Sequence, residues 1–288
     1  MTSGLIGQST EIASQAPNYW SSPARLAAGK KWRLQAEVMG RGVTSALVEV
    51  AQIEGGMDVL DLASGEGDPA LTLAAIVGEH GTITVTDITP GPLEVAAERA
   101  REDGISNIQF KIADAQQLPF KDSTFDRVTC RFGTMFFPDP IAAMHEAQRV
   151  LRPKGRVALA VWGSIEQPCF QVFVAPLLRY AGGPVLACEG PNPFRFAEPG
   201  SLSALLREAG FREVREEART VERMWTGSPE QAWEYFSDHA AAFASLIERV
   251  PADVWDEVMH DIVAAISNFR IGRVFQFTSQ INLAVAYN

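Results

Sequence analysis

Acidic side chains at the ends of three predicted strands are the residues best suited to chemistry in this sequence. Asp61 lies near the end of the segment MDVLDL, Asp87 ends TITVTD, and Asp114 follows a stretch ending at Ile112. Because parallel strands bring their carboxyl ends to one edge of a sheet, where ligands bind in open α/β folds, we expect these carboxylates to line one crevice. The second acid is suited to binding both hydroxyls of a ribose. The third can accept a hydrogen bond from the exocyclic amine of an adenine.

A glycine-containing turn follows the first of these strands. Gly65 and Gly67, in LASGEGDPA, permit a tight turn and a close approach of the backbone to a ligand. The helix predicted to begin at Pro69 would point its amide N–H groups at the same ligand. The pattern therefore predicts a nucleotide-containing cofactor bound across the strand ends.

Two cofactor classes compete for this turn. The run GEGDPA at 65–70 fits the dinucleotide pattern G-x-G-x-x-A, which would indicate NAD. NAD would bring a pyrophosphate among Asp61, Glu66 and Asp68, and two like charges ~4 Å apart repel by roughly 4 kcal/mol at an effective dielectric constant of 20. S-adenosylmethionine instead brings a positive ammonium and a positive sulfonium, so electrostatics favours it.

Four blocks of the chain resemble class I S-adenosylmethionine-dependent methyltransferases, in particular the branch of ubiquinone/menaquinone-biosynthesis and secondary-metabolite enzymes. The blocks lie at about residues 57–163 and read VLDLASGEGDPALTLA, VTDITPGPLEVA, ADAQQLPFKDSTFDRV and EAQRVLRPKGRVALAVWG. The resemblance implies a Rossmann-like, doubly wound α/β fold, with a seven-stranded, mostly parallel sheet and an antiparallel last strand. It also implies methyl transfer to a small acceptor, and leaves open whether O, N or C is methylated.

The resemblance further implies cofactor contacts for ten residues. The methionine end would be held by Asp61, Ala63, Ser64, Gly65 and Gly67, with Arg131 beneath it. The ribose would be bound by Asp87, and the adenine by Ile88, Asp114 and the amide of Ala115. Ala63 stands where the family usually has glycine, so we expect this turn to accommodate a methyl group.

Aromatic and apolar residues supply the candidate acceptor pocket. They are Tyr19, Trp20 and Trp32 near the N-terminus, and Phe132, Met135 and Phe136 after the fourth predicted strand. Such a lining would favour a largely apolar acceptor; for the N-terminal aromatics, packing against the sheet is the alternative. No residue stands out as a general base. The candidates are Tyr19, Tyr235 and His239, and packing within the cap is the alternative for the last two.

Composition excludes several classes of protein. The 288 residues are 47% hydrophobic and 21% charged, with a formal charge of −10 and no cluster of Lys and Arg, which argues against nucleic acid or an anionic membrane as partner. Three cysteines without a CxxC pair indicate a reducing, cytoplasmic compartment. The four histidines show no metal-ligand spacing, so no metal is predicted. Neither a signal peptide nor a membrane-spanning run is visible.

Strand and helix patterns alternate through the middle of the chain, which predicts how these residues are positioned. We expect an N-terminal helical segment or lid over 1–56, a cofactor-binding core over 57–165, and substrate-cap helices with the last two strands over 166–288. The cap should contain one continuous helix over 230–248. A monomer and a homodimer are both compatible with the pattern. A protein that binds S-adenosylmethionine without methyl transfer, and an NAD-dependent oxidoreductase, are the alternative functions.

Overall fold

A single mixed sheet organises the protein. The structure, a computed structural model, describes residue 20 and residues 22–187 and 190–288. In this part of the chain the strands are β1 (Asp58–Asp61), β2 (Thr82–Asp87), β3 (Ile108–Ile112), β4 (Phe125–Arg131), β5 (Leu151–Trp162), β6 (Arg212–Trp225), β7 (Arg270–Ile271) and β8 (Val274–Tyr287). Their order is β3-β2-β1-β4-β5-β8-β6, with β7 paired to β8.

The first five strands are parallel to one another, and β8 runs antiparallel between β5 and β6. This confirms the predicted doubly wound sheet with an antiparallel last strand. The predicted count of seven strands is wrong, because the described residues form a sheet of eight. The additional strand, β7, has two residues and pairs with the start of β8 around Gly272 (φ 61°), and so short a strand leaves no hydrophobic alternation in the sequence.

Helices cover both faces of the sheet. They are α1 (Pro23–Ala51), α2 (Ala70–Val77), α3 (Pro90–Glu102), α4 (Pro140–Val150), α5 (Pro168–Ala181), α6 (Ser201–Glu208), α7 (Pro229–His239), α8 (Ala244–Glu248) and α9 (Trp255–Ser267). Several begin at proline, whose fixed φ suits the first turn. Ser228 caps α7 by accepting from the amide of Gln231, whose side chain accepts from the Ser228 amide in return.

Buried strands at the centre of the sheet form the core. Three clusters of apolar side chains pack there: one around β4, β5, α4 and α6; a second between α1, α2 and the β1–β2 region; and a third among α5, α7, α9 and β8. The long helix α1 crosses the molecule and contacts β4, β5, β6, β8, α3 and α7. It therefore touches both the core sheet and the late helices.

The helix predicted over 230–248 is broken, which corrects the sequence prediction. Helix α7 ends at His239, Ala240 leaves helical geometry (φ −94°, ψ 43°), and a 3₁₀ turn at Ala241–Phe243 precedes α8. The break brings the ring of Phe243 to within 6.2 Å of Phe170 and 5.2 Å of Phe236, measured between ring centroids. Burial of this ring among other aromatics outweighs the local helix propensity, which sequence patterning alone cannot detect.

Among the helices formed by described residues, none is both long and apolar enough to cross a membrane.

Candidate cofactor and acceptor site

One cavity of about 510 Å³ lies at the carboxyl ends of the parallel strands and extends beneath the late helices. Its wall has two chemically different parts. The polar half comprises Ala63, Ser64, Gly65, Glu66, Asp68, Asp87, Ile88, Asp114, Ala115 and Gln116. The aromatic half comprises Phe132, Trp162, Phe170, Phe173, Trp225, Phe236, Phe243 and Phe277, with Arg223 among them. A ligand in either half could therefore reach a ligand in the other.

The two glycines of the turn after β1 have different roles. Both have left-handed φ values, 54° at Gly65 and 100° at Gly67. A Cβ added to Gly65 would meet no atom within 4 Å, so this residue leaves open space on the cavity side. A Cβ added to Gly67 would lie 3.1 Å from Ala96 and 3.2 Å from Leu71. Gly67 therefore allows the turn to pack closely against α2 and α3 behind the wall.

The methyl group of Ala63 fits because the neighbouring residue Gly133 has no side chain. Its φ is 51°, a left-handed conformation that costs a non-glycine residue roughly 1–2 kcal/mol. A Cβ added to Gly133 would come 2.5 Å from the Ala63 Cβ. Gly133, which has no side chain, therefore leaves the space that the Ala63 methyl group occupies. The sequence did not predict this pairing, because the two residues are distant in the chain.

Asp61 lies buried behind the turn. Its Oδ1 accepts from the hydroxyl of Thr129 at 2.6 Å, while Oδ2 has no hydrogen-bond partner among the described residues. Burial raises the pKa of Asp61 to about 6, although the nearby charge of Arg131 acts in the opposite direction. The unpaired oxygen leaves this buried carboxyl group able to accept one further hydrogen bond.

The acids after β2 and β3 are held in defined orientations. The Asp87 carboxylate accepts from the amide of Gly65 at 3.0 Å and from the amide and hydroxyl of Thr89 at 3.0 and 2.7 Å. Asp114 accepts from the amide of Gln116 at 2.9 Å and also from its side-chain Nε2. Thr89 and Gln116 were missed in the sequence, since their role depends on turn geometry rather than on a recognisable motif.

These residues fit S-adenosylmethionine. The open face of Gly65 permits backbone approach, and Ile88, 47% exposed on the cavity wall, offers an apolar contact for a base. The basic side chains near the turn are already opposed by its acids: Arg25 lies 3.6 Å from Glu66, and Arg99 lies 3.3 Å from Asp68. The donor set therefore suits a cationic cofactor better than a pyrophosphate.

Arg131 ends β4 beneath the polar half. One Nη donates to the hydroxyl of Thr44 at 2.8 Å, and the other lies 4.0 Å from Asp68. Burial lowers the pKa of this guanidinium. A Cβ on Gly40 would lie 2.8 Å from Arg131 Nη1, so this glycine of α1 leaves room for the guanidinium.

Stacked rings form the aromatic half. Phe132 stacks on Trp162 with centroids 3.9 Å apart and planes 16° apart, and its own φ of 62° is left-handed. Phe173 stacks on Phe236 with centroids 4.3 Å apart. The guanidinium of Arg223 lies 4.9 Å from the centre of the Trp162 ring. Flat apolar surfaces of this kind favour a planar, apolar ligand.

The predicted acceptor residues divide between the cavity wall and its surroundings. Trp20, Phe132, Met135 and Phe136 line the cavity. Trp32 lies away from the wall: its Nε1 donates to Asp238 at 2.7 Å, and its ring packs on Trp225 and Tyr235. Trp32 thereby joins α1 to α7 and also packs against the sheet through Trp225 on β6. Tyr19 lies outside the described residues.

Both remaining candidates for a base line the cavity. The rings of Tyr235 and His239 lie 4.4 Å apart, and His239 Nδ1 is 2.8 Å from the carbonyl oxygen of Tyr235. Nδ1 must carry the proton to donate to this carbonyl, which leaves Nε2 as an acceptor. Burial and the nearby charge of Arg25 lower the pKa of His239 to about 4. The imidazole is therefore neutral at pH 7 and is a poor proton acceptor.

The described part of the chain contains no cluster of three His, Cys, Asp or Glu side chains that could hold a metal ion.

The sheet order, the glycine turn and the acids at successive strand ends are typical of Rossmann-like, S-adenosylmethionine-dependent methyltransferases. Residues 41–184 match the model of the ubiE/COQ5 methyltransferase family. The chain belongs to this family, which confirms the resemblance and the cofactor predicted from the sequence.

Individual relatives extend this comparison. The ubiquinone/menaquinone biosynthesis C-methyltransferase UbiE of Shewanella frigidimarina is 37% identical over 132 residues, which is 44% of this chain and 53%, or about half, of the relative. UbiE of Shewanella pealeana is also 37% identical, over 201 residues that cover 64% of this chain and 79% of the relative. The crystal structure of the [4+2]-cyclase SpnF shares the fold, with a TM-score of 0.53 and 23% identity over 85% of this chain and 79% of that one.

Proposed function

We propose that the protein transfers a methyl group from S-adenosylmethionine to a small, largely apolar acceptor with an aromatic ring. The single observation that carries this proposal is the continuity of the cavity, which joins a polar half suited to the cofactor with an aromatic half suited to a planar acceptor. The 1–56 segment would act as a lid, 57–165 as the cofactor core and 166–288 as the acceptor cap.

The polar half would hold the cofactor through groups of this chain. Asp87 would accept from the ribose hydroxyls, Ile88 would lie against the adenine, and Asp114 with the Ala115 amide would bind its polar edge. Ala63, Ser64 and Gly65 would surround the methionine end, with Asp61 and Gly67 behind them and Arg131 beneath. When bound, the cofactor supplies a methyl group on a positively charged sulfur, ready for displacement by a nucleophile.

The main contribution of the chain to the rate would be alignment. Holding two reactants in line can supply about 7–11 kcal/mol of a barrier, and the stacked walls at Phe132 and Trp162 would fix the plane of the acceptor ring. His239 would orient the acceptor by accepting a hydrogen bond at Nε2, because its low pKa makes it unsuited to be a general base. Tyr235 would support that imidazole through its carbonyl oxygen and its ring.

A phenolic or quinol ring methylated at carbon is the acceptor class that we propose to test first. The support is the function of the relatives, which are C-methyltransferases of ubiquinone/menaquinone biosynthesis. We further propose that the acceptor is a free molecule rather than a nucleic acid, because a formal charge of −10 opposes a polyanion. We propose that the protein acts in the cytoplasm. We also propose that it is a monomer or a homodimer, and size-exclusion chromatography with light scattering would show which of the two it is.

The experiment incubates the protein and methyl-deuterated S-adenosylmethionine with reduced naphthoquinols, phenols, indoles and amines. Mass spectrometry then detects S-adenosylhomocysteine and a product that carries the labelled methyl group. We expect a labelled quinol or phenol, and no product with Asp87→Ala. The exposed variant Asp253→Asn is the matched control and should retain the activity. S-adenosylhomocysteine binding without any labelled product would instead favour a protein that binds the cofactor without transfer.

A further inference from the structure

Arg223 places a guanidinium in the wall of the aromatic half. It lies on β6 two residues from Val221 and two from Trp225, both of which are buried, and it is itself half-buried. Its charge rests against the Trp162 ring, 4.9 Å from the centroid, and its buried Nε has no hydrogen-bond partner among the described residues. In that same part of the chain no carboxylate lies within ion-pair distance of Arg223, whereas Arg219 on the same strand pairs with Glu49 and Glu217.

The groups around Arg223 offer it no carboxylate partner among the described residues. Arg131 is close enough for the two guanidiniums to repel each other, and the thiol of Cys169 lies nearby. Asp68 and Asp61 act on Arg131, and the other carboxylates of the wall, Glu66, Asp87 and Asp114, belong to the polar half. A cation in apolar surroundings is costly unless it is paired, so a complementary charge on the acceptor would relieve this arrangement.

We infer that Arg223 selects acceptors whose aromatic ring carries an anionic oxygen, either a carboxylate or a phenolate. The ring would lie against Phe132 and Trp162, and the oxygen would accept from the guanidinium. Arginine presents donors in a fixed planar fork that matches such oxygens and also stacks on aromatic faces. This inference rests on the proposed function, and it names the class of acceptor for the same site.

The test measures binding rather than turnover, with the protein saturated with S-adenosylhomocysteine. Isothermal titration compares 1-hydroxy-2-naphthoate with its neutral methyl ester, and follows 2-naphthol as a function of pH. We expect the carboxylate to bind about tenfold more tightly than the ester, as one charge-assisted contact predicts. A carboxylate preference alone identifies a carboxylate ligand, and tighter binding of 2-naphthol at high pH identifies a phenolate.

Variants assign the preference to Arg223. Arg223→Gln should abolish the difference between acid and ester, and Arg223→Lys should retain part of it because the charge remains. Arg219→Gln, four residues earlier on the same strand, is the matched control and should keep the full preference. The affinity for S-adenosylhomocysteine should be unchanged in all three, which also shows that they are folded.

Equal binding of acid and ester by the parent protein, together with binding of 2-naphthol that does not change with pH, would overturn the inference. An undiminished anion preference in Arg223→Gln would also overturn it. These outcomes are distinct from failure of the proposed function. Anion-selective binding without methyl transfer to any acceptor would refute the enzyme and retain the site. Efficient methyl transfer to neutral acceptors alone would retain the enzyme and refute the site.

Discussion

The two halves of the cavity are built in different ways. The polar half consists of short segments that directly follow β1, β2 and β3, and its carboxylates are held by hydrogen bonds to residues nearby in the sequence or in the adjacent turn. The aromatic half brings together rings from β5, α5, α7 and β8, held mainly by packing. Cofactor binding should therefore depend on a few local groups, whereas acceptor binding should depend on the tertiary arrangement of the late helices.

The largest expected effect comes from substitutions that alter only the polar half of the cavity. Asp87→Ala leaves the amides of Gly65 and Thr89 without their acceptor, and Gly65→Arg fills the open face of the turn. Either change should weaken binding of S-adenosylhomocysteine about 100-fold or more, measured by isothermal titration. Asp253→Asn should bind normally. Unchanged affinity in both variants would show that the cofactor lies elsewhere.

The second prediction concerns a substitution that alters only the aromatic half of the cavity. Phe236→Ala removes a buried ring stacked 4.3 Å from Phe173 and should lower the free energy of unfolding by about 3 kcal/mol, measured by urea denaturation. The affinity for S-adenosylhomocysteine should stay close to that of the parent, since the polar half is untouched. Leu34→Ala, at a position that is 70% exposed, is the control and should have little effect. Loss of cofactor binding in the folded Phe236 variant would mean that the halves are coupled.

The third prediction concerns pH, because two buried groups of the site, Asp61 and His239, have pKa values shifted in opposite directions. Asp61 has its pKa raised from 3.8 to about 6, so the native state binds more protons than the unfolded chain between those values. The free energy of unfolding therefore loses about 3 kcal/mol as pH rises through this window. Asp61→Asn, which can still accept from Thr129, should remove that loss.

His239 gives the opposite dependence. Its pKa is lowered from 6.5 to about 4, so the unfolded chain binds more protons in that window. The free energy of unfolding therefore gains about 3 kcal/mol as pH rises. His239→Gln should remove this gain. Urea denaturation at pH 4, 5, 6 and 7 should therefore give a rising curve for Asp61→Asn and a falling one for His239→Gln. Parallel curves would contradict the assignment of both groups.

The smallest expected effect comes from a substitution in the turn after β1. Ala63→Gly relieves a left-handed alanine but adds freedom to the unfolded chain, and the two contributions are each about 1 kcal/mol. The free energy of unfolding and the affinity for S-adenosylhomocysteine should both remain near the parent values. A strong loss of affinity would mean that the Ala63 methyl group itself contacts the cofactor.

The same contrast explains what the sequence could predict. Strand β2 was predicted with its observed bounds, and Asp87 and Asp114 with their place at the strand ends, because β-branched alternation and turn residues are local signals. The break at Ala240 and the packing role of Trp32 depend on contacts with residues far along the chain. Arg223 was missed for the same reason: in the sequence it is one charge among several on a polar strand, and only the fold brings it against Trp162.

The central claim, that one cavity holds a cofactor and an acceptor side by side, is tested most directly by thermal denaturation with S-adenosylhomocysteine and 1-hydroxy-2-naphthoate, separately and together. A ligand at ~100 times its Kd stabilises the native state by about 2.7 kcal/mol, which for a chain of this size raises Tm by roughly 5–10 °C. We predict that each ligand raises Tm and that the two together raise it further, whereas NAD leaves it unchanged. A Tm with both ligands no higher than with the better one alone would contradict separate halves, and a rise with NAD instead of S-adenosylhomocysteine would contradict the cofactor site.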